Sequence, residues 1–576
     1  MRTKLLLVAS AASILALPAI AQQAVAPQPA PVAATPATSP TPVANSTESG
    51  SDETAVEEVS SVNLQPPAPP VEYPGWARRD PWTVGSLNPG EVGLTDDAWG
   101  GANGPFLSVL MRRMQTPLAS RWAHIALRNA LLAMGHAPVN VSPIDWVGER
   151  AWLLLRLGEA DAARMLVADV DADRFTPKMT QVAVQSALAN ADPPALCPLE
   201  DGMRSADAGI LRLVQAMCAS LAGEPEAASA MIDQARRFGR IGGVDLALAE
   251  KVVGAGANGR SSTIEWDPVD SLTAWRFGLA TGTGMMPPDR LINAASPQLR
   301  AFQARAPMLS AQQRLPSAMI AAGLGVFSSQ TMVDLYSAIY DATDPGDLGD
   351  SDAWQLRQAF VAKDPETRLA AIRKLLATGK DGLQKEGARA LVARAATLVE
   401  PDAKLARDAP ELISAMLAGG YDQAAARWIP AVNGMDDADS DRCWAMLALG
   451  APNIGDVGTS RINSFIRRDN SRDKVRSALL VAGLAGLGRI SVDTANSINQ
   501  RYGLGLGHIT SWTKMIDAAA ERGQGGTVLV LTGTGLQTPN FDRVPSAHLY
   551  HAVAALSRTG QGFTARMIAA EALSRT

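Results

Sequence analysis

The stretch AWLLLRLGEADAARMLVADV, Ala151 to Val170, contains the pattern of a helix, a glycine turn and a second helix. The apolar residues before Gly158 recur every three or four positions, which is the period of one helical face. Gly158 ends this helix because glycine readily adopts the left-handed conformation found at helix C-termini. Glu159 and Asp161 place negative charge in the first turn of the next helix, whose apolar face begins at Ala163. So short a turn predicts an antiparallel helical hairpin.

The turn signature recurs along the chain, with a glycine followed five positions later by an alanine. The four glycine and alanine pairs are Gly158 and Ala163, Gly223 and Ala228, Gly420 and Ala425, and Gly560 and Ala565. Less clear copies occur at Gly135 and Gly488. Because internal repeats at a similar spacing are typical of helical arrays, we interpret the eight residues as turn and packing residues and not as a binding site.

These residues resemble the tetratricopeptide repeat (TPR) family, whose hairpins have a small residue at the end of the first helix and an alanine five residues later. The family's full aromatic set and its terminal proline are absent from the copies in this chain. The resemblance implies an all-α fold, namely a TPR-like, right-handed α-solenoid of antiparallel helical hairpins. It implies no catalytic residue, because TPR domains are binding scaffolds.

Residues 1–21 have the organisation of a secretory signal peptide. Arg2 and Lys4 precede an apolar run from Leu5 to Leu17, and a small-x-small cleavage site follows at Ala19 to Ala21. An uncleaved N-terminal anchor is the alternative, but the run is shorter than the about 20 residues that span a bilayer. No later run of about 18 apolar residues is present, so we expect a periplasmic or secreted protein without an integral membrane segment.

Composition divides the mature chain into three regions. Residues 22–71 are rich in Pro and Ala and have few large apolar groups, which predicts a disordered linker. Residues 72–104 contain Trp76, Trp82 and Trp99 among Pro, Gly and Asp, and we interpret them as an irregular N-terminal cap; a ligand-stacking surface is the alternative. Residues 105–576 carry helical periodicity throughout, and even the strand-like run 527–532 is predicted to be helical in this context.

The charge of the chain argues against nucleic acid as a partner. The net charge is −5, and no basic stripe of the kind that phosphate backbones require is present. At 47% hydrophobic and 19% charged residues, the composition is that of a globular protein.

The three cysteines give information about the redox environment of the protein. Cys197 and Cys218 are candidates for a disulfide in an oxidising environment, with Cys197 placed in a loop and Cys218 in the helix before Gly223. Closing a loop of this length would contribute about 3 kcal/mol. Cys443 has apolar neighbours, which favours a buried thiol over a nucleophile.

Motifs for metal or cofactor chemistry are weak. His548 and His551 have the i, i+3 spacing of two ligands on one helix, but a structural zinc site normally needs four ligands. Residues 471–474 and 511–514 match the S-x-x-K of penicillin-recognising enzymes, yet no K-T-G follows either of them. Ser471 also fits a helix N-cap that follows Asp469 and Asn470. We therefore predict no catalytic residue, no metal and no cofactor.

Two functional hypotheses remain. The first is an exported interaction scaffold whose concave face binds a protein or peptide of the cell envelope. The alternative is an envelope glycan-acting enzyme built on a helical superhelix, similar to lytic transglycosylases. That enzyme requires a catalytic Glu followed by Ser and an aromatic sugar platform, and the helical region has no Glu-Ser pair. The sequence therefore favours the scaffold and predicts that the protein is not an enzyme.

Overall fold

The computed structural model of the chain describes residues 74–205, 208–239, 241–256, 263–380, 382–455 and 457–576. The predicted signal peptide (1–21), the predicted linker (22–71) and the first two residues of the predicted cap lie outside the described residues. Residues from Arg79 onward belong to one compact unit, and the architecture below is that of this unit.

Helices account for all the regular secondary structure of the described residues apart from two isolated bridges, which confirms the all-α prediction. The helices of the first half are α1 (Gly104–Arg113), α2 (Arg121–Leu132), α3 (Pro143–Leu157), α4 (Ala160–Ala168), α5 (Pro177–Ala189), α6 (Ala208–Leu221), α7 (Pro225–Phe238), α8 (Gly243–Gly256), α9 (Ala274–Gly282), α10 (Asp289–Ala294), α11 (Pro297–Arg305), α12 (Ala311–Leu324) and α13 (Ser329–Ala342). Those of the second half are α14 (Asp352–Val361), α15 (Pro365–Thr378), α16 (Gly382–Ala396), α17 (Ala409–Ala418), α18 (Asp422–Ala426), α19 (Ile429–Asn433), α20 (Asp437–Gly450), α21 (Thr459–Arg468), α22 (Val475–Gly486), α23 (Val492–Tyr502), α24 (Ser511–Glu521), α25 (Gly525–Gly535), α26 (Ser546–Arg558) and α27 (Gly562–Ser574). The strand-like run 527–532 lies inside α25 and is helical, as predicted.

Short polar side chains fix where many of these helices begin. The Ser120 hydroxyl accepts a hydrogen bond from the amide of Ala123 at the start of α2, and Thr176 does the same for Met179 at the start of α5. Ser310 and Gln313 form a reciprocal capping box at α12. Such caps satisfy amides that have no partner inside the helix, and the boundaries therefore follow local sequence.

The turn glycines close their helices in one way. Gly158, Gly223, Gly420 and Gly560 all have positive φ, between 80° and 111°. In each case the amide of the next residue donates to a carbonyl five residues back, as from Glu159 to Leu154 (2.7 Å). The same bond follows Gly488, and it follows Gly523, where the sequence analysis had not placed a turn.

The paired alanines lie where the two helices of a hairpin meet. Ala163, Ala228, Ala425 and Ala565 are each 0% exposed. They belong to the hairpins α3–α4, α6–α7, α17–α18 and α26–α27, whose helices contact each other. A larger side chain at these positions would force the helices apart.

Glu159 is the N-cap residue of α4 and Asp161 lies in its first turn, so both predicted acidic residues are at the start of this helix. The Glu159 carboxylate forms no capping hydrogen bond; it is fully buried and lies 2.7 Å from Nε2 of His124 on α2. The residue after the turn glycine thus also contacts a neighbouring helix.

Helices α12 and α16 pack in close contact. A Cβ atom added at Gly323 would overlap the carbonyl oxygen of Leu383, and one added at Gly387 would overlap that of Met319. Each glycine therefore faces the backbone of the opposite helix, four residues before that helix's own glycine. The two helices touch through their main chains.

Two hydrophobic clusters share the interior. The larger runs from Val84 to Leu573, and the smaller is built mainly from α5 to α9. Cys197 and Cys218 are disulfide-bonded beside the smaller cluster. Cys197 lies in a 3-10 helix, Pro193–Leu199, where a loop had been predicted.

The first and last helices of the folded unit are in contact. Helix α2 packs against α3 and also against α25 and α27. Trp99, in the segment before α1, is buried against Trp146 with ring centroids 5.0 Å apart, and the neighbouring Ala98 accepts a hydrogen bond from Gly526 on α25. In a linear repeat array each unit contacts only its neighbours. Helix α2 contacts helices that are distant in sequence, unlike a helix of such an array. The segment predicted as a cap likewise packs both on α3, near the start of the helical region, and on α25, near its end.

Of the helices in the described part of the chain, none is both long and apolar enough to cross a bilayer.

Candidate functional site

An open cleft is present where α16, α20, α22 and the end of α27 approach each other. It has two lobes of about 880 and 250 Å³, and the side chains of Arg442 and Arg476 line both of them. The turn 471–474, which precedes α22, forms part of the rim.

The larger lobe is rich in positive charge. Its described wall includes the acidic residues Glu386 and Asp542, and six cationic ones: Lys385, Arg389, Arg442, Arg472, Arg476 and Arg575. The protein as a whole has a net charge of −5. The cleft is therefore a local excess of positive charge on an acidic protein.

Some of these cations are held by ion pairs at the base of the cleft. The guanidinium of Arg389 is 1% exposed and donates to Glu386 (2.7 Å) and to Glu411 (2.9 Å). Burial alone would raise the pKa of the Glu411 carboxyl, but the charges of Arg389, Arg442 and Lys385 outweigh it and hold the pKa below its ordinary value. Arg575 is similarly held by Glu571 (2.8 Å). These buried pairs form a rigid base for the cleft.

Two other cations of the cleft, Arg472 and Arg476, have at most one long ion pair with the described residues. The guanidinium of Arg476 has no hydrogen-bond or ion-pair partner within the described part of the chain. Arg472 is 96% exposed and its only described ion pair is with Asp473 at 3.5 Å. Arg476 lies in the first turn of α22, where the helix dipole is unfavourable to positive charge, and Arg472 lies in the turn before that helix. For Arg476, no contact within the described chain offsets this cost.

The turn before α22 is strained and firmly anchored. Asp473 and Lys474 both have φ of 52°, in the left-handed region that residues with a Cβ rarely adopt. The Lys474 ammonium donates to the carbonyl oxygens of Ile466 (2.9 Å) and Asp469 (3.1 Å) at the end of α21. It is therefore used for structure, and no described hydrogen bond pairs it with Ser471 as an S-x-x-K enzyme would require.

The start of α22 is capped by two residues. Ser471 Oγ accepts from the amide of Arg476 (3.2 Å), and the Asp469 carboxylate accepts from the amides of Ser471 and Ser477 (both 2.9 Å). Burial raises the pKa of Asp469, but these hydrogen bonds outweigh it and lower the pKa below its ordinary value. The capping role predicted for Ser471 is thus shared with Asp469.

The two histidines singled out from the sequence lie on α26 but face different partners. The ring of His548 stacks on that of Trp512 with centroids 4.4 Å apart, and His551 Nδ1 lies 2.8 Å from Asp517. Across the described residues, no group of three or more His, Cys, Asp or Glu side chains is arranged to hold a metal ion. Cys443 is buried in α20.

The tryptophans of the predicted cap are used differently. Trp99 is 1% exposed and serves as a core residue, so no ligand can stack on it. Trp82 is half-exposed, and its carbonyl oxygen accepts from the amide of Ala137.

Sequence reasoning missed the cleft. One signal was present: the stretch RRDNSRDKVR, 467–476, contains five cations and two aspartates in an otherwise acidic protein. The stretch does not reveal the partner helices, because Lys385, Arg442 and Arg575 come from distant parts of the chain.

Comparison with known proteins assigns no family. No protein-family model, no curated protein and no solved structure matches the chain. The TPR-like resemblance rests on the repeated turn signature alone and stays a prediction.

Proposed function

We propose that the protein is an exported, TPR-like helical scaffold of the cell envelope, and that it binds a partner protein in the arginine-lined cleft. Residues 1–21 act as the signal peptide in this proposal, and the mature protein works in the periplasm without catalysing a reaction. The hairpins form a right-handed solenoid over part of the chain, which the repeated turn glycines and buried alanines support.

The observation that carries the proposal is the charge of two arginines beside an open lobe of about 880 Å³: among the described residues Arg476 has no side-chain partner, and Arg472 has one long ion pair, 3.5 Å to Asp473. Cations at a helix N-terminus are unfavourable by about 0.3–1 kcal/mol each. An anionic surface of a partner protein would remove this cost on binding and would gain charge-assisted hydrogen bonds from the guanidinium groups.

The glycan-acting enzyme is less well supported. A glycosidic general acid needs a carboxyl whose pKa is raised. The pKa values of Glu411 beside the cleft and of Asp469 in its wall are shifted in the opposite direction. Both groups stay ionised at neutral pH and do not supply the required proton.

The proposal is tested by isolating partners from envelope extracts with the mature chain as bait. We expect the wild type to retain a stoichiometric protein. The double variant Arg472→Glu/Arg476→Glu should lose it. The matched control is Arg113→Glu on α1, an exposed arginine outside the cleft, which should retain it. Equal recovery by all three baits, or turnover of purified peptidoglycan by the wild type, would overturn the proposal.

A further inference from the structure

We propose that the cleft binds an acidic peptide segment in which carboxylate side chains flank an apolar one. This inference rests on the proposed function and specifies the chemistry of the partner. The carboxylates would pair with Arg442, Arg472 and Arg476, and the apolar side chain would enter the smaller lobe.

The first step concerns the charge available to a ligand. Arg468 lines the smaller lobe but is already paired in bidentate geometry with Asp441 (2.7 and 2.8 Å), so it adds little net charge. Arg389 and Arg575 are likewise paired within the protein. The charge that remains for a ligand is mainly that of Arg472 and Arg476. Lys385 (3.6 Å) and Arg442 (3.2 Å) share Glu411, and the one other contact that Arg442 makes with the described residues is 3.3 Å to the Ser574 carbonyl.

The second step is the form of the anion. Guanidinium groups present paired donors that match a carboxylate, and the protein already uses this geometry between Arg468 and Asp441. The available cations line the cleft from α16, from α20, from the turn before α22 and from α22. Their placement on separate elements favours a chain with several carboxylates over one compact phosphate.

The third step is the apolar surface between the cations. The smaller lobe, about 250 Å³, is lined by Ala445, Phe465 and Leu573 in addition to its charged groups. All three are buried, at 0%, 6% and 4% exposed, so the apolar contact that this lobe offers is small and would be made with the end of one aliphatic side chain. Among the described wall residues Phe465 is the one aromatic residue, and it is buried, so there is no exposed ring on which a sugar or a base could stack.

The fourth step is the match to a peptide main chain. Asn470 lines the smaller lobe, and Ser471 and Asn540 line the larger one. Amide and hydroxyl side chains donate to and accept from the polar groups of an extended backbone. Cations, an apolar patch and neutral hydrogen-bonding groups together fit an acidic peptide better than a purely electrostatic ligand.

The test measures binding of fluorescently labelled peptides to the mature chain by anisotropy. The probes are Glu-Glu-Leu-Glu-Glu, its neutral analogue Gln-Gln-Leu-Gln-Gln, and Glu-Glu-Ser-Glu-Glu, which lacks the apolar side chain. We expect the first peptide to bind most tightly and to lose affinity as salt is raised. Arg476→Glu should weaken it about tenfold, whereas Arg113→Glu should leave it unchanged.

The melting temperature distinguishes a binding role of Arg476 from a structural one. Arg476 lies in the first turn of α22, where glutamate is favoured by the helix dipole. Arg476→Glu should therefore keep or raise the melting temperature while it lowers peptide affinity. A variant that melts earlier and binds the peptide as well as the wild type would contradict the inference.

The outcomes distinguish the two proposals. If the bait experiment depends on the cleft but no acidic peptide binds, the peptide chemistry is wrong and the scaffold function stands. Binding of the neutral peptide at equal strength, or of soluble peptidoglycan fragments in place of the acidic peptide, would also overturn the peptide chemistry. If Arg472→Glu/Arg476→Glu leaves capture of the partner unchanged and Arg476→Glu leaves peptide binding unchanged, both proposals fail.

Discussion

The backbone of Asp473 and Lys474 stores strain at the rim of the cleft. A left-handed residue with a Cβ costs about 1–2 kcal/mol relative to the right-handed form. Lys474 is held there by its bonds to the end of α21, and Asp473 follows from the geometry of the same turn. Arg472, the residue before this strained pair, lines the larger lobe, and strain of this kind concentrates at functional sites.

Asp473→Gly should stabilise the fold. Glycine adopts φ of 52° without a Cβ clash, and the exposed Asp473 loses only a long ion pair to Arg472. We expect the free energy of unfolding, measured with urea, to rise by about 0.5–1 kcal/mol. The control is Asp347→Gly, because Asp347 is also exposed but has φ of −97°. A loss of stability in the Asp473 variant equal to that of the control would contradict this explanation.

The ion pairs of Glu411 at the base of the cleft should make the free energy of unfolding depend on pH. The folded-state pKa of Glu411 is below the ordinary value of 4.5, so its ionised form contributes stability above about pH 4.5. This contribution disappears as the pH falls through the folded-state pKa. Glu411→Gln should cost about 1–3 kcal/mol at pH 7.

The measurement is urea unfolding of the wild type and of Glu411→Gln at pH 7 and at about pH 3. The difference between the two proteins should shrink as the pH falls through the folded-state pKa of Glu411, because the protonated carboxyl and the amide are both uncharged. The exposed Glu400, which lies between helices, provides the control Glu400→Gln, whose stability should follow that of the wild type at both pH values. An undiminished difference at low pH would show that the network does not act through the charge of Glu411.

In the helical hairpins the turn glycine is constant. The residue after it differs from hairpin to hairpin, according to the helix or segment that it contacts. Glu159 contacts His124, and Arg489 donates to the carbonyl oxygens of Ala448 and Ala451 at the end of α20. Gln561 donates to Val92 (2.7 Å) and Gly93 (2.8 Å) in the segment before α1. The repeated signature thus forms each hairpin, and the variable residue attaches it to the rest of the fold.

The hairpin turn can be tested with two glycines two residues apart. Gly560 has φ of 83°, whereas Gly562 is the first residue of α27 and has nothing within 4 Å of an added Cβ. Gly560→Ala should lower the free energy of unfolding by about 1–2 kcal/mol. Gly562→Ala should keep or raise it, because alanine favours the helix. Equal effects of the two substitutions would rule out a requirement for left-handed geometry.

The contact of α12 with α16 makes a separate prediction. Gly387→Ala improves helix propensity by about 1 kcal/mol, yet its Cβ would overlap the Met319 carbonyl oxygen. We expect a net loss of about 1–3 kcal/mol in thermal or urea unfolding. Gly349→Ala, where an added Cβ has nothing within 4 Å, is the control and should change stability little. Wild-type stability of the Gly387 variant would show that the helices can separate at no cost.

Across the folded unit, the first and last helices are joined by buried polar groups as well as by Trp99. The Glu571 carboxylate on α27 accepts from the amide of Arg121 (2.8 Å). The guanidinium of Arg121 donates to the carbonyl oxygens of Ala322 and Ala418, at the ends of α12 and α17. Burial lowers the pKa of Arg121 to about 10, so it remains charged at neutral pH. One residue of α2 thus ties together three distant helices.

Trp99→Ala tests this joining of the two ends. Removing the buried ring leaves a cavity between the segment before α1 and α25, and should cost about 3–5 kcal/mol. Hydrogen exchange should show α2 and α25 losing protection together. Trp82→Ala is the matched control, because Trp82 is half-exposed, and it should cost far less. Unchanged protection of α25 in the Trp99 variant would contradict the coupling of the ends.

The features that could be predicted from the sequence alone depend on residues that are close together in the chain. Apolar periodicity predicted the all-α fold, and glycine turns predicted hairpins whose left-handed residues are present at Gly158 and Gly560. These features are local because hydrogen bonds within a helix and turn conformations involve residues only a few positions apart.

The cleft, the burial of Glu159 and the Gly323–Gly387 crossing depended on tertiary structure. Each requires side chains or backbones from segments that are distant in sequence, and a short-range pattern contains no information about which helix lies opposite. Arg476 is an example: its charge is visible in the sequence, but only the packed helices α16, α20, α22 and α27 show that none of the described residues pairs with its guanidinium.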